Sequence, residues 1–182
     1  MRSLLNTFII VGVISVLSLA SALATDKNKN KKGHRHHQAH THGAGKMSIA
    51  FDGLNGRIEF EAAAESILGF EYAAQTDHDK KIVDDAIKTF KQDFSKMVQF
   101  DAASGCKIMA DKVEQKMESK KSNHSNFVAS YNVQCQKTLL NTKVKFNFLS
   151  HEHLNDVDVI ILVDKLQKNV EITNKESSVD LK

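Results

Sequence analysis

The chain has 182 residues, 41% of them hydrophobic, which is typical of a protein with one hydrophobic core. Its 25 basic and 22 acidic side chains nearly balance, with a formal net charge of +3, which argues against nucleic acid or an anionic membrane as its partner.

Residues 1–24 have the features of a secretory signal peptide. Arg2 is followed by an almost wholly apolar run over 4–19, and Ala22-Leu23-Ala24 has small residues where signal peptidase cleaves. The apolar run is shorter than the ~20 residues that span a bilayer. We therefore expect an exported mature chain, residues 25–182, that does not span a membrane.

The mature chain is predicted to begin with a flexible arm, residues 25–46, rich in Lys and His. The arm has no large aliphatic side chain, so it cannot offset the entropy cost of folding by itself. Its five clustered histidines are His34, His36, His37, His40 and His42. In an extended segment His40 and His42 project from the same face, and a turn at Gln38-Ala39 would bring in His37 as a third nitrogen.

Neutral imidazole is the commonest side-chain ligand for Zn²⁺, so the arm is predicted to bind zinc. Cu²⁺ and Ni²⁺ are alternatives, since copper binds more tightly than zinc at almost any nitrogen site. The other interpretation is a disordered tail that buffers metal weakly in many interchangeable arrangements.

Residues 47–182 are predicted to form a single α+β domain. We expect a mostly antiparallel β-sheet of about six to eight strands and one main amphipathic helix over about 77–97. Thr76 is the expected N-cap of that helix. The alternation of apolar and polar residues predicts strands over 47–52, 57–62, 127–135 and 143–148. Further strands are expected over 106–110, 157–163 and 168–173. The nearly continuous apolar run 157–163 predicts a strand buried on both faces, and 112–123 is expected to be a polar surface excursion.

Cys106 and Cys135 are expected to be joined by a disulfide, because an exported chain enters an oxidising compartment. Such a bridge would stabilise the fold by about 3 to 4 kcal/mol in the chain-entropy model. The alternative is a Cys/His zinc site, which would require reduced thiolates.

Other histidines lie within the predicted domain. His151 and His153 form a second His-x-His pair. One interpretation is a polar turn between two strands, which needs no metal. The other is a pair of metal ligands whose side chains face the same way. His78 and His124 are isolated. No catalytic motif of the Gly-x-Ser-x-Gly, phosphate-loop or His-Glu-x-x-His kind is present, so we expect no catalytic residues.

Four stretches resemble the ZrgA-like family, exported zinc-binding proteins of Gram-negative bacteria associated with zinc uptake. They are His37-Gln38-Ala39-His40-Thr41-His42-Gly43, Leu68-Gly69-Phe70-Glu71, Ser104-Gly105-Cys106, and 124–135 with the sequence HSNFVASYNVQC. The resemblance implies a periplasmic zinc-binding protein with a Cys106–Cys135 bridge. The ligands that it implies are His37, His40, His42 and His124.

The chain departs from the family pattern in three places. A long His/Asp-rich insertion before the His124 motif is replaced by the Lys- and Ser-rich stretch 112–123. Tyr72 stands where relatives tend to have histidine, and the chain has no proline. The missing insertion argues against a high-capacity role that would bind many ions.

Three functions remain open at this point. The first is capture or buffering of Zn²⁺ in the periplasm, with transfer to an inner-membrane zinc importer. The second is copper or nickel tolerance through the same arm. The third is an accessory domain that docks on an envelope protein without binding metal.

Overall fold

A computed structural model describes residues 43–148, 151, 153–173 and 177–182. The described residues belong to one compact unit and contain nine strands, three α-helices and a short 3-10 helix, Ala102–Ser104. The signal peptide and the five clustered histidines of the arm are predictions that lie outside the described residues. None of the described helices combines the length and apolarity needed to cross a membrane.

The first two strands form the predicted hairpin. β1, Ala44–Asp52, pairs antiparallel with β2, Asn55–Ala63, across a two-residue turn in which Gly53 has a positive φ of 59°. β1 begins at Ala44 and not at Met47, so the end of the predicted arm belongs to the sheet. The alternation rule missed these residues because Gly45 has no side chain of its own, although it packs closely against the core.

Seven further strands follow the hairpin: β3 Val98–Phe100, β4 Lys107–Met117, β5 Ser125–Gln134, β6 Lys143–Phe146, β7 Asp156–Val163, β8 Leu166–Thr173 and β9 Ser177–Asp180. Six of the nine strands form the main sheet, in the order β4-β5-β2-β1-β7-β8, and the other three form a small sheet, β3-β6-β9. Neighbouring strands are antiparallel except β1 and β7, which are parallel. The prediction of a mostly antiparallel sheet is therefore confirmed, with more strands than the six to eight expected.

The helices are α1 Ala64–Leu68, α2 Asp77–Gln92 and α3 Phe94–Met97. The Thr76 side chain accepts a hydrogen bond from the Asp79 backbone N–H, and the Asp79 carboxylate accepts one from the Thr76 N–H, which confirms the predicted N-cap. The predicted end at residue 97 is wrong. Asp93 leaves the helical conformation, and the chain restarts as α3, with the Phe94 ring stacked 3.7 Å from that of Tyr131.

The core lies between one face of the main sheet and a layer made of α2 and the small sheet. Phe90 of α2 packs against Phe127 of β5, with 4.7 Å between ring centroids, and the Tyr131 hydroxyl donates a hydrogen bond of 2.9 Å to the Phe90 carbonyl. The small sheet also contributes to the core. Phe100 of β3 packs edge to face against Phe51 of β1, with 5.5 Å between the ring centroids. Along the central strands these inward, buried residues alternate with outward ones. One face of the sheet is therefore buried in the core.

The opposite face of the main sheet is not covered by any described element. Ile160 and Leu162 of β7 are 46% and 40% exposed on this face, whereas the alternate β7 residues are buried. The prediction that 157–163 is buried on both faces is therefore wrong. The apolar run reflects strand propensity on the outer face as well as burial on the inner one.

Two predictions for the segment after Gly105 need correction. β4 does not stop at residue 110 but continues to Met117, so the first half of the predicted surface excursion is strand. β4 is an edge strand paired only with β5, and a register shift occurs between Ala110 and Lys112. Most of its side chains are therefore in solvent, and polar residues replace the alternating pattern.

Cys106 and Cys135 are joined by a disulfide, as predicted. The bridge links the residue before β4 to the residue after β5, so it closes the β4–β5 pair at the end where Lys107 faces Gln134.

Candidate metal site

One end of the main sheet carries His124 together with Gly43, the residue that follows the predicted arm histidines. β1, β5 and β7 begin there, and β2, β4 and β8 end there. We call it the His124 end; it comprises Gly43, Ser66, Glu71, His124 and the segment just before β7. Only β2 separates β1 from β5, so the starts of these two strands lie about 10 Å apart at a strand spacing of about 4.8 Å.

His124 is paired with a carboxylate at this end. Its Nδ1 lies 2.8 Å from Oε2 of Glu71, and the two side chains are 53% and 29% exposed. The hydrogen bond to Glu71, reinforced by the negative charge of Glu118, raises the pKa of His124 above its ordinary value of 6.5. The imidazole is thus held in one orientation by a partner 53 residues earlier in the chain.

The backbone around Glu71 is held in place by hydrogen bonds from β4 and β5. Gly69, in a left-handed conformation with φ 81°, ends α1 and lets the chain turn. The Ser125 hydroxyl then donates a hydrogen bond of 2.6 Å to the Glu71 carbonyl, and the Gln115 side chain donates to the Tyr72 carbonyl at 2.8 Å. β4 and β5 therefore hold the Glu71 backbone against the first residue of β5.

Gly43, the residue that follows His42 in the sequence, is also fixed at the His124 end. Its N–H donates to Oγ of Ser66 at 3.0 Å, and its carbonyl accepts hydrogen bonds from the backbone N–H groups of Asn155 and Asp156 at 2.6 and 3.2 Å. Gly43 has φ 84°, and a Cβ there would lie 2.3 Å from Nδ2 of Asn155. Only glycine fits this position without strain.

His151 and His153 occupy different environments. His153 is exposed, whereas the ring of His151 packs against that of Phe90, with 5.2 Å between centroids. Nε2 of His151 is shielded from solvent and has no hydrogen-bond partner among the described residues. Burial lowers the pKa of His151, which favours the neutral form of the imidazole. The expectation that the pair faces one way does not fit these surroundings.

The remaining candidates are placed as follows. His78 is exposed in the first turn of α2. His34, His36, His37, His40 and His42 lie outside the described residues. Within the described part of the chain, no three His, Cys, Asp or Glu side chains converge closely enough to hold a metal ion.

Glu71 is the functional candidate that pattern reasoning missed. It stands in the Leu68-Gly69-Phe70-Glu71 motif, but nothing in the local sequence pairs it with His124. Only the common end of β2 and β5 brings the two side chains together.

A carboxylate that accepts a hydrogen bond from one imidazole nitrogen is found at many histidine metal sites, and also in ordinary surface ion pairs. In such sites the nitrogen opposite the carboxylate is the ligand, and the carboxylate fixes the ring and increases its basicity. In His124 the nitrogen opposite Glu71 is Nε2.

Comparison with known families identifies the family to which the chain belongs. A family model described as ZrgA family zinc uptake protein matches residues 39–181, so the chain belongs to that family. The match covers the whole described sheet and the His124 end, and it includes His40 and His42. No curated protein shows a significant match to the chain.

Proposed function

We propose that this protein is an exported, periplasmic zinc-binding protein that captures or buffers Zn²⁺ and passes it towards an inner-membrane importer. In this proposal His37, His40 and His42 are the first ligands, and His124 supplies a nitrogen from the folded domain. His34 and His36 act as further weak ligands on the arm, and exposed His153 lies beside the site. The protein has no catalytic role.

The hydrogen bond between His124 and Glu71 is the observation that carries the proposal. It would supply the carboxylate–histidine half of a carboxylate–histidine–zinc arrangement, in which the carboxylate accepts the N–H at one ring nitrogen and the metal would bind the other. A raised pKa is expected for a histidine in this arrangement, because the same carboxylate stabilises the protonated ring.

The anchoring of Gly43 supports a joint site. A peptide bond ties His42 to Gly43, and Gly43 is held by Ser66 and Asn155 at the same end of the sheet as His124. Two strand spacings, about 10 Å, separate the starts of β1 and β5. In the proposal the arm histidines and His124 share one ion, which would give Zn²⁺ the four nitrogen ligands of a tetrahedral site.

The proposed compartment rests on the leader and the disulfide. A chain that begins with an apolar leader and carries a cysteine bridge is expected outside the cytoplasm, where disulfides persist. Zinc reaches an inner-membrane importer through the same compartment. Membership of a zinc uptake family supports a role in bringing zinc to such an importer.

Calorimetric zinc titration of mature residues 25–182 tests the proposal. We expect the His40→Ala/His42→Ala double variant and the His124→Ala variant each to weaken zinc binding by at least about tenfold. His78→Ala is the matched control, because His78 is exposed on α2, and it should retain wild-type affinity.

Two outcomes would contradict the proposal. If His124→Ala and the double variant bind zinc as tightly as the wild type, the metal site is elsewhere. If the wild type binds no zinc but binds copper or nickel, the metal-tolerance function is supported instead, and binding of none of the three favours the envelope-docking function.

A further inference from the structure

The outer face of the main sheet, which is the face turned away from the core, collects exposed apolar side chains. Five large apolar side chains are exposed within the described residues, and three of them lie on this face: Met109 at 51%, Ile160 at 46% and Leu162 at 40%. Met109 shares the face with Leu162 because the strand register places them in one row across the sheet. Apolar side chains gathered on one open face indicate an interaction surface.

The charges on the outer face are balanced. A depression of about 630 Å³ on this face is lined by four basic and four acidic side chains, Lys46 and Glu61 among them, together with Ile160. A nucleic acid, an anionic membrane or any other partner of one sign would meet as many repulsive charges as attractive ones. A second copy of the same face carries both signs in equal numbers, so it can complement this surface.

The size of the outer face is close to that of a stable dimer interface. The six strands of the main sheet lie about 4.8 Å apart and rise about 3.3 Å per residue, so about eight residues of each cover roughly 700 Å² of flat area. A standard protein–protein interface buries about 800 Å² of each partner. A second copy stacked on the whole face would therefore bury enough surface for stable association.

The twist of the sheet allows two copies to stack closely. Because the twist has a fixed hand, two identical sheets related by a two-fold axis parallel to their strands curve together and stay about 10 Å apart. An axis between β1 and β2, the middle strands of the six, gives the largest overlap. It places β2 over β1 of the second copy, and β5 over β7 of that copy.

One contact of such a stack follows from the strand register. Lys46 on β1 and Glu61 on β2 are paired neighbours on the outer face, and both are exposed. Under the two-fold axis, Lys46 of each copy faces Glu61 of the other, so the four side chains alternate in sign around the axis. The exposed Ile160 and Leu162 of β7 are covered at the same time by β5 of the second copy.

We propose that two copies of this protein form a dimer by stacking the outer faces of their main sheets. The two-fold axis keeps the strand direction, so both His124 ends lie at the same edge of the dimer. The inference goes beyond the proposed function and does not depend on zinc binding.

Sedimentation velocity of mature residues 25–182 over the micromolar range tests the proposal. The wild type should sediment as a dimer at the upper end of this range. Lys46→Glu, Glu61→Lys and Ile160→Ser should each weaken dimerisation by at least about tenfold, because they bring like charges together or remove apolar contact. The double variant Lys46→Glu/Glu61→Lys restores opposite charges and should regain most of the wild-type affinity. Lys145→Glu, which changes an exposed lysine on β6 of the small sheet, is the matched control and should dimerise like the wild type.

A measurement on the wild type avoids any effect of substitution on folding. In an equal mixture of ¹⁴N- and ¹⁵N-labelled protein, a zero-length carbodiimide cross-link between Lys46 and Glu61 should yield peptide pairs that carry both labels. A wild type that stays monomeric throughout the range would overturn the inference. A dimer that persists unchanged in folded Lys46→Glu and Ile160→Ser variants, or that yields only single-label cross-links, uses another surface and would overturn it as well.

Discussion

Replacement of Glu71 by glutamine removes one negative charge beside His124 and retains the size of the side chain. The backbone contacts of residue 71 should survive, because Ser125 bonds to its carbonyl and not to its carboxylate. The change is therefore confined to the 2.8 Å contact between Oε2 and Nδ1. Loss of a carboxylate that orients a metal-binding histidine typically weakens metal affinity about 10- to 100-fold, and we expect a loss in that range at pH 8.5.

The expected loss depends on pH in a defined direction. Protons compete with Zn²⁺ for His124, and the contact with Glu71 raises the pKa of His124 above 6.5. In the wild type, proton competition therefore begins at a higher pH than in Glu71→Gln. The difference in zinc affinity between wild type and variant should be largest at pH 8.5 and smaller at pH 6.0.

The stability of the zinc-free protein provides an independent check that Glu71 raises the pKa of His124. A raised histidine pKa contributes stability that is fully present below 6.5 and is lost as the pH rises through the raised value. Glu71→Gln should therefore lower the melting temperature of the zinc-free protein at pH 5.5 more than at pH 9. Both trends can be followed by calorimetry of mature residues 25–182.

Glu114→Gln is the matched control for Glu71→Gln. Glu114 is a carboxylate of β4 that pairs with Lys112 at 2.6 Å, and its replacement should leave zinc affinity unchanged at both pH values. Equal zinc affinities for wild type and Glu71→Gln at pH 8.5 would refute the role given to Glu71. A loss that grows as the pH falls would refute the reasoning about proton competition.

Three predictions concern the fold and are measured by urea unfolding with zinc affinity as a second readout. Tyr131→Phe removes the buried hydrogen bond to the Phe90 carbonyl and should cost about 1 kcal/mol or somewhat more, with unchanged zinc binding. Cys106→Ala/Cys135→Ala should lower the free energy of unfolding by about 3 to 4 kcal/mol, and an effect near zero would show that the bridge constrains little. Thr76→Ala removes the N-cap of α2 and should cost about 1 kcal/mol, whereas Thr76→Asn should retain most of the stability.

The parts of the fold that alternation could predict are those with one buried and one exposed face. The β1–β2 hairpin and β5 follow this pattern, and Thr76 marks the start of α2 by its side-chain chemistry. In each case the signal is local, because the residues that define the element also define its buried face.

The errors arose where tertiary position decided the outcome. β4 extends to Met117 because β5 offers it a pairing edge, and its polar side chains give no sign of this. The apolar run of β7 could not reveal that Ile160 and Leu162 face solvent, since that depends on which side α2 packs. β3 and β9, of three and four residues, are too short for a recognisable period.

The sequence indicates histidine as the candidate ligand type, which stays a prediction, and it does not reveal the contact between His124 and Glu71. His124 was a candidate through a family resemblance, but its partner Glu71 is distant in sequence and meets it only through the sheet. Likewise the spacing of His151 and His153 suggested two ligands in one environment, whereas His151 is half-buried with a shielded Nε2 and His153 is exposed. The ligand roles of His37, His40 and His42 stay predictions.

Native mass spectrometry of the protein recovered from the periplasm of its own cells tests the central claim most directly. It reports the mass after export, the oxidised cysteine pair and the identity of any bound metal in one spectrum. The expected species begins at Thr25, contains the Cys106–Cys135 bridge and carries Zn²⁺ that is lost when His40, His42 and His124 are all replaced by alanine. A protein recovered without zinc from zinc-replete cells, or one that keeps its zinc in the triple variant, would contradict the account.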